Sequence, residues 1–242
     1  ATHSMLASAA GIWRDAPSVL LREHYRCHPK IAEFFNQKFY NGELIVLTED
    51  HGEKNVLSMY RTPPGNHARG HLNQRQIDII REEVLPALTR QGFTDIGMIT
   101  PYRDQAAAIR KQLGDNWEVA TVHKFQGDEK DVIIYSLVVT DDSSEGKIRW
   151  IDYSVPNLVN VAVTRARKAL YVVGNLHYIQ THSSIDLPLG YLAWYAENKQ
   201  KINLDSSNQT FVIDTNVFIE DSDILERINP RDLIVLPAKV LD

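Results

Sequence analysis

The chain has 242 residues, 43% of them apolar and 24% charged, with a formal net charge of -5 and a single cysteine. That length holds one α/β core and part of a second, and the composition excludes a disordered or membrane-spanning chain. Cys27 alone excludes an internal disulfide and a thiolate zinc cage, which fits a reducing cytoplasm. The acidity is local: residues 205–242 hold eight acids and three bases, leaving 23 of each sign in residues 1–204. Net charge therefore does not exclude a phosphate-bearing partner for the body of the chain.

In chain order, residues 1–17 are a polar, small-residue lead-in that opens at Ala1 without an initiator methionine, which predicts a piece of a longer protein. A short strand is predicted at Ser18–Leu21. After Pro29 the apolar residues Ile31, Phe34, Phe35 and Phe39 fall at helical spacing, stopped by Asn41-Gly42. Arg61–Asn73 reads as a loop by its prolines and glycines, and the next segment as a helix ending at Gly92. Then come a strand at Ile96–Thr100, a turn at Pro101 and a helix through Ile109 to Leu113. Strands follow at Val119–Val122 and Val132–Val139, a helix near Leu158–Arg167, a strand at Ala169–Val173 and a helix around Leu189–Asn198. Alternation of this kind predicts an α/β domain over residues 18–200, a parallel sheet with helices on both faces. Lys201–Thr210 is a polar linker by composition, and residues 211–242 read as a strand, an acidic helix and a second strand.

A buried parallel sheet explains the apolar strands but not the loops beside them. Gln126, Gly127, Glu129 and Asp131 crowd one loop, and Arg165 and Arg167 flank a single alanine next to Thr164. The glycine-rich stretch Gly65–His71 fails as a phosphate loop, because His71 stands where a lysine must reach the phosphates and no Ser or Thr follows for Mg2+. No other such loop exists in the chain, which predicts that it does not hydrolyse a nucleotide alone. His24, Cys27 and His28 lack a further ligand pair and read as a polar turn rather than a metal site.

Four segments, HYRCHPKIAEFFNQKFYNGEL, IGMITPYRDQAAAIRKQL, VATVHKFQGDEKDVIIYSLV and NLVNVAVTRARKALYVVGN, occur in this order between Leu20 and Asn175. Together they resemble the later motifs of superfamily 1 helicases, in the branch that contains the nonsense-mediated-decay helicase. The resemblance implies a RecA-like P-loop NTPase fold, the second of two such domains that clamp ATP between them. It also implies a preceding RecA-like domain carrying the phosphate loop and most Mg2+ ligands. By the same resemblance Tyr25 would stack on adenine and Arg26 reach the phosphates, the alternative being a solvent-facing pair. Glu129 would contact the ribose or the γ-phosphate region, and Arg165 would be the arginine finger that stabilises charge on the transferred phosphoryl group. Gln126 would couple strand and nucleotide sites, or else make an ordinary loop hydrogen bond; Arg167 would support the loop. Thr100, Pro101, Tyr102 and Arg103, with Thr121, Val122 and His123, would follow a single strand of DNA or RNA through phosphate contacts. Family members usually carry an acid where this chain has His123.

FVIDTNVFI followed by IVLPAKVLD resembles the first two strands of a PIN nuclease domain. That likeness implies Asp214 as the first carboxylate of a Mg2+- or Mn2+-binding cluster, against an alternative in which it caps a turn. Two rival readings stay open: a helicase half that binds single strands without turnover, and a domain that delivers substrate to a PIN-type nuclease. The set Tyr25, Arg26, Glu129 and Arg165 argues against the first, and strand-end acids beyond Asp242 would decide the second.

Overall fold

The computed structural model describes Ile12 and residues 21–62, 68–125, 128–139, 145–204, 210–212 and 233–235. Short strands β1 (Glu23–His24) and β2 (Ile45–Val46) pair in parallel and bracket α1 (Pro29–Phe39). Pro29 supplies the fixed φ of a first helical residue, and the His28 ring accepts the Lys30 N–H as the N-cap. Strand β3 (Leu57–Arg61) and a small antiparallel pair, β4 (Ala68–Arg69) and β5 (Leu72–Asn73), lead into helix α2. Three consecutive segments form α2: Gln74–Ile79, a widened π turn at Ile80–Val84, and Leu85–Arg90. Then follow β6 (Ile96–Thr100), α3 (Arg103–Leu113), β7 (Glu118–Thr121) and β8 (Lys130–Ser136). Helix α4 (Glu145–Arg149, widening into a π turn at Trp150–Ser154), α5 (Asn157–Val163), β9 (Ala166–Gly174), α6 (Leu176–His182) and α7 (Pro188–Leu204) complete the layers.

The main sheet runs β3-β9-β8-β6-β7, every pair parallel. Alternate residues of each strand feed opposite cores, which is why the strands read as unbroken apolar runs. Ile133, Tyr135, Leu170 and Val172 face α1, α5, α6 and α7. Val132, Ile134, Ala169, Tyr171 and Val173 face α2 and α3. The α/β sheet covered on both faces is thus present as the sequence predicts.

Several boundaries differ from the sequence reading, each for a tertiary reason. The edge strand β3 has no clear apolar period, yet Leu57 to Arg61 pair in register with Leu170 to Gly174. Helix α5 stops at Val163 and β9 starts at Ala166, because Ala166 pairs with Lys130 at the head of β8; Arg167 therefore stands on a strand. Strand β8 ends at Ser136 rather than Val139, since Val138 takes a φ of 62°, a strained setting for a β-branched residue. Gln76 holds it there: its Oε1 accepts the Val138 N–H at 2.9 Å and the Ser136 hydroxyl at 2.8 Å. Helices α4 and α6 have no counterpart in the sequence reading. Helix α7 continues to Leu204, into the segment that composition marks as linker, since no Gly or Pro interrupts it.

Strands β10 (Thr210–Val212) and β11 (Leu233–Val235) pair in parallel. The predicted strand at 18–20, most of the lead-in, residues 63–67, the linker at 205–209 and the rest of the 211–242 segment lie outside the described residues. Among the described residues no helix is long and apolar enough to cross a membrane.

Candidate nucleotide and strand interface

The predicted site residues sort onto two opposite edges of the sheet. At the N-terminal ends of β8 and β9 stand Arg26, Glu129, Arg165 and Arg167, brought together by the Lys130–Ala166 pairing and by the His28 N–H, which donates to the Arg167 carbonyl at 2.7 Å. Arg165 follows the last turn of α5 and is half-buried. Its Nε donates to the Val161 carbonyl at 3.1 Å, Nη1 to the Asp128 carbonyl at 3.4 Å and Nη2 to the Thr164 hydroxyl at 3.5 Å. Among the described residues no carboxylate lies within ion-pair distance of it. Burial first, then the like charge of Arg26, lowers its pKa against the weaker opposing pull of Glu129 and Asp128: burial and Arg26 disfavour the cation that an incoming anion would favour.

Arg167, two residues on, is in the opposite condition. It meets Asp131 at 2.7 Å, Asp95 at 2.8 Å and Glu129 at 3.7 Å. Lys130 extends the network by bridging Asp95 at 3.1 Å and Glu118 at 2.8 Å. Burial alone would raise the Asp95 pKa, but the Asp131 N–H, Lys130 and Arg167 outweigh it and hold the carboxyl below its usual range. Arg26 is neutralised by Glu129, Nε to Oε2 at 2.5 Å. The Tyr25 ring is 66% exposed beside this pair, its hydroxyl donating to Glu23. Tyr25, Arg26, Glu129 and Arg167 line an open cleft of about 480 Å³. Underneath, the buried Cys27 thiol contacts the Thr164 carbonyl, and burial pushes its pKa up to about 12.

The other set lies at the C-terminal ends of β6 and β7, where Thr100 pairs with Thr121. Burial divides it. Thr100, Pro101, Tyr102, Thr121 and Val122 are buried, while Arg103 and His123 are exposed. Tyr102, expected on the strand path, is buried: its ring stacks on His71 at 4.6 Å and leans on Trp150 at 5.6 Å. Of this set, Arg103 and His123 alone present exposed side chains. Gln126 lies outside the described residues, within the connection that joins Thr121 at one edge to Lys130 at the other. Phe125 anchors that connection in the core, over Gly97, where a Cβ would come within 2.6 Å of its ring.

His24, Cys27 and His28 serve the backbone. His24 Nε2 accepts the Cys27 N–H at 3.0 Å, and His28 Nδ1 accepts the Lys30 N–H at 3.2 Å. His28, Asp50 and Glu53 do converge closely enough to suggest an ion site. With Nδ1 accepting, however, the ring carries its proton on Nε2, which faces Glu53 at 3.3 Å and has no lone pair for a metal. At the N-terminal ends of β8 and β9, Glu129, Asp131 and Asp95 each hold an arginine or lysine, so these carboxylates do not fit a Mg2+ ligand set. Asp214 lies outside the described residues.

The sequence pattern of the AAA domain family matches residues 3–177. The chain belongs to that family. This AAA domain is 28% identical over 194 residues to the DNA polymerase alpha-associated DNA helicase A of Saccharomyces cerevisiae, covering 66% of the chain and 28% of that protein. It is 30% identical to a Regulator of nonsense transcripts 1 homolog of Neurospora crassa, over 68% of the chain and 17% of the relative. To Helicase sen1 of Schizosaccharomyces pombe it is 30% identical, over 67% of the chain and 11% of the relative. The AAA domain thus spans well under a third of each of these relatives. A solved PRRSV helicase covers 70% of the chain and 26% of its own, at TM-score 0.37 and 16% identity, too distant to bear on function.

Residue spacing alone did not reveal the ion network around Asp95 and Arg167. Its one local signal is that an acid directly precedes or opens each of β6 and β8, and the Asp131 N–H donates to Asp95 at 3.1 Å.

Proposed function

We propose that this AAA domain is the C-terminal motor domain of an ATP-dependent DNA or RNA helicase. It would supply the arginine finger and part of the single-strand track to a preceding RecA-like domain of the same protein. The observation that carries this reading is the contrast between the two arginines of one strand end. Arg167 is saturated by three carboxylates, as a structural arginine should be. Arg165 is aimed by backbone oxygens and Thr164 and makes no ion pair among the described residues, Glu129 and Asp128 acting on it from beyond ion-pair distance. A preorganised cation with no carboxylate in direct contact is what a developing phosphoryl charge needs.

In the intact protein ATP would lie between the two domains, with Tyr25 under the adenine. Arg26 would exchange Glu129 for phosphate oxygens, and Glu129, still held by Arg167, would turn to the ribose or γ-phosphate region. Mg2+ would neutralise phosphate charge, its ligands coming mainly from the preceding domain, since the carboxylates of this edge are engaged. Closure would bring Arg165 to the γ-phosphate, a contribution worth about 10³ to 10⁵ in rate. Gln126, in the connection between the two edges, would pass strand occupancy to the nucleotide. The chain alone would not turn over ATP. Its single buried cysteine suits a reducing cytoplasm. The parallel β10–β11 pair agrees with the start of a PIN-like fold, in which Asp214 would be the first metal-binding carboxylate.

The test is ATP hydrolysis by the longest natural protein containing the chain, with and without single-stranded DNA or RNA, beside Arg165→Ala. Strand-stimulated turnover that collapses in the variant is expected. A protein that binds strands yet never turns over ATP would instead be a binding module.

A further inference from the structure

A pocket of about 380 Å³ opens beside His123, the exposed residue of the strand edge. Its walls are apolar, formed by Val122, Val155, Leu158 and Val161, and its polar groups are an imidazole, a hydroxyl and an amide from His123, Ser154 and Asn157. Among the described residues, no lysine, arginine or carboxylate lines it. A phosphate would find no fixed cation here. A heterocyclic ring with apolar faces and a hydrogen-bonding edge would find both of its needs met.

We infer that this pocket receives a nucleobase of the bound single strand, an inference that rests on the strand-binding reading above. The strand would then be held at this edge by a base as well as by its phosphates. Asn157 and Ser154 each both donate and accept, so the pocket would tolerate different bases rather than read one.

The wall residue Val161 gives the pocket a second consequence. The residue lines the pocket, and its carbonyl accepts from Arg165 Nε at 3.1 Å and from the Thr164 hydroxyl at 3.1 Å. The C-terminal half of α5 is therefore shared: one face touches the base site and the backbone of the same residue aims the arginine. A base pressed against Val161 would steady the carbonyl that orients Arg165, a route from strand to finger that does not pass through Gln126.

The experiment compares, in the full natural protein, the affinity for oligothymidylate and oligouridylate with that for abasic strands of equal length and matching backbone. Wild type is set beside Val155→Trp, which fills the pocket, and Asn157→Ala, an exposed position whose loss leaves the core intact. Burying part of one ring is expected to make the base-bearing strand at least about fivefold tighter than the abasic one. That preference should shrink about fivefold in Val155→Trp and partly in Asn157→Ala, and abasic strands should stimulate ATP hydrolysis poorly even at saturation. If Val155→Trp does not fold, Asn157→Ala decides. An identical preference in wild type and every folded variant would overturn the inference. Failure of all strands to bind would overturn the strand-binding reading itself. The DNA and RNA arms show which backbone delivers the base.

Discussion

Arg26 and Glu129 neutralise each other in the open cleft beside Tyr25, Nε to Oε2 at 2.5 Å, although they come from different motifs 103 positions apart in the chain. Both side chains are about two-fifths exposed, so the pair contributes under about 1 kcal/mol to the fold. On the proposed reading, phosphate oxygens replace Glu129 on Arg26 when ATP binds. Arg26→Ala in the full protein is expected to raise the KM for ATP by about tenfold while leaving the denaturation midpoint nearly unchanged. A large loss of stability with an unaltered KM would assign the pair to structure instead.

Gly97 exists for Phe125. A Cβ at Gly97 would lie 2.6 Å from the Phe125 ring, 2.9 Å from the Lys130 side chain and 3.1 Å from Ile133. Gly97→Ala is expected to cost about 1 to 3 kcal/mol in urea denaturation, as overpacking does. Pairing it with Phe125→Leu should recover part of that loss. Strict additivity of the two changes would mean that they do not share the space.

The buried amide of Gln76 satisfies the Val138 N–H, the Ser136 hydroxyl and the Val139 carbonyl, and Gln105 joins the same cluster through Ser136 at 3.0 Å. Gln76→Leu keeps the volume but orphans these groups around a residue already held at positive φ. About 2 to 4 kcal/mol of destabilisation is expected, more than a surface substitution produces. Chemical denaturation measures it, and a loss below about 0.5 kcal/mol would show that the amide is dispensable.

Asp152 should make stability depend on pH with a sign unlike that of an ordinary ion-paired acid. Burial raises its pKa, against hydrogen bonds from the Ser183 hydroxyl at 2.6 Å and the Leu189 N–H at 2.9 Å and the charge of Lys38. The folded state then binds the proton more tightly than the unfolded state, whose value is near 3.8. Its contribution is present at low pH and is lost as pH rises through the raised folded pKa. Unfolding free energies measured upward from about pH 4 should therefore decline relative to Asp152→Asn, which carries no titrating proton. Parallel pH profiles for the two proteins would refute this.

What the sequence determined by itself was local. β-Branched runs between helical periods specify a parallel sheet with helices on both faces, and Pro29, Gly92 and Asn41-Gly42 punctuate its helices, because these signals act over a few residues. Glu129 and Arg165 stood out for the same reason, as charges at strand ends that packing does not require. Only the tertiary structure decided which arginine is ion-paired and which has no carboxylate within ion-pair distance among the described residues. Arg167 owes its fate to Asp95, 72 residues away, and no spacing rule links them. Burial of Tyr102 likewise comes from His71 and Trp150, in two other segments. The edge strand β3 forms because β9 offers it a partner, not because its own residues demand it. Hydrophobic period is a property of neighbours along the chain; counter-charge and solvent exposure are properties of neighbours in space.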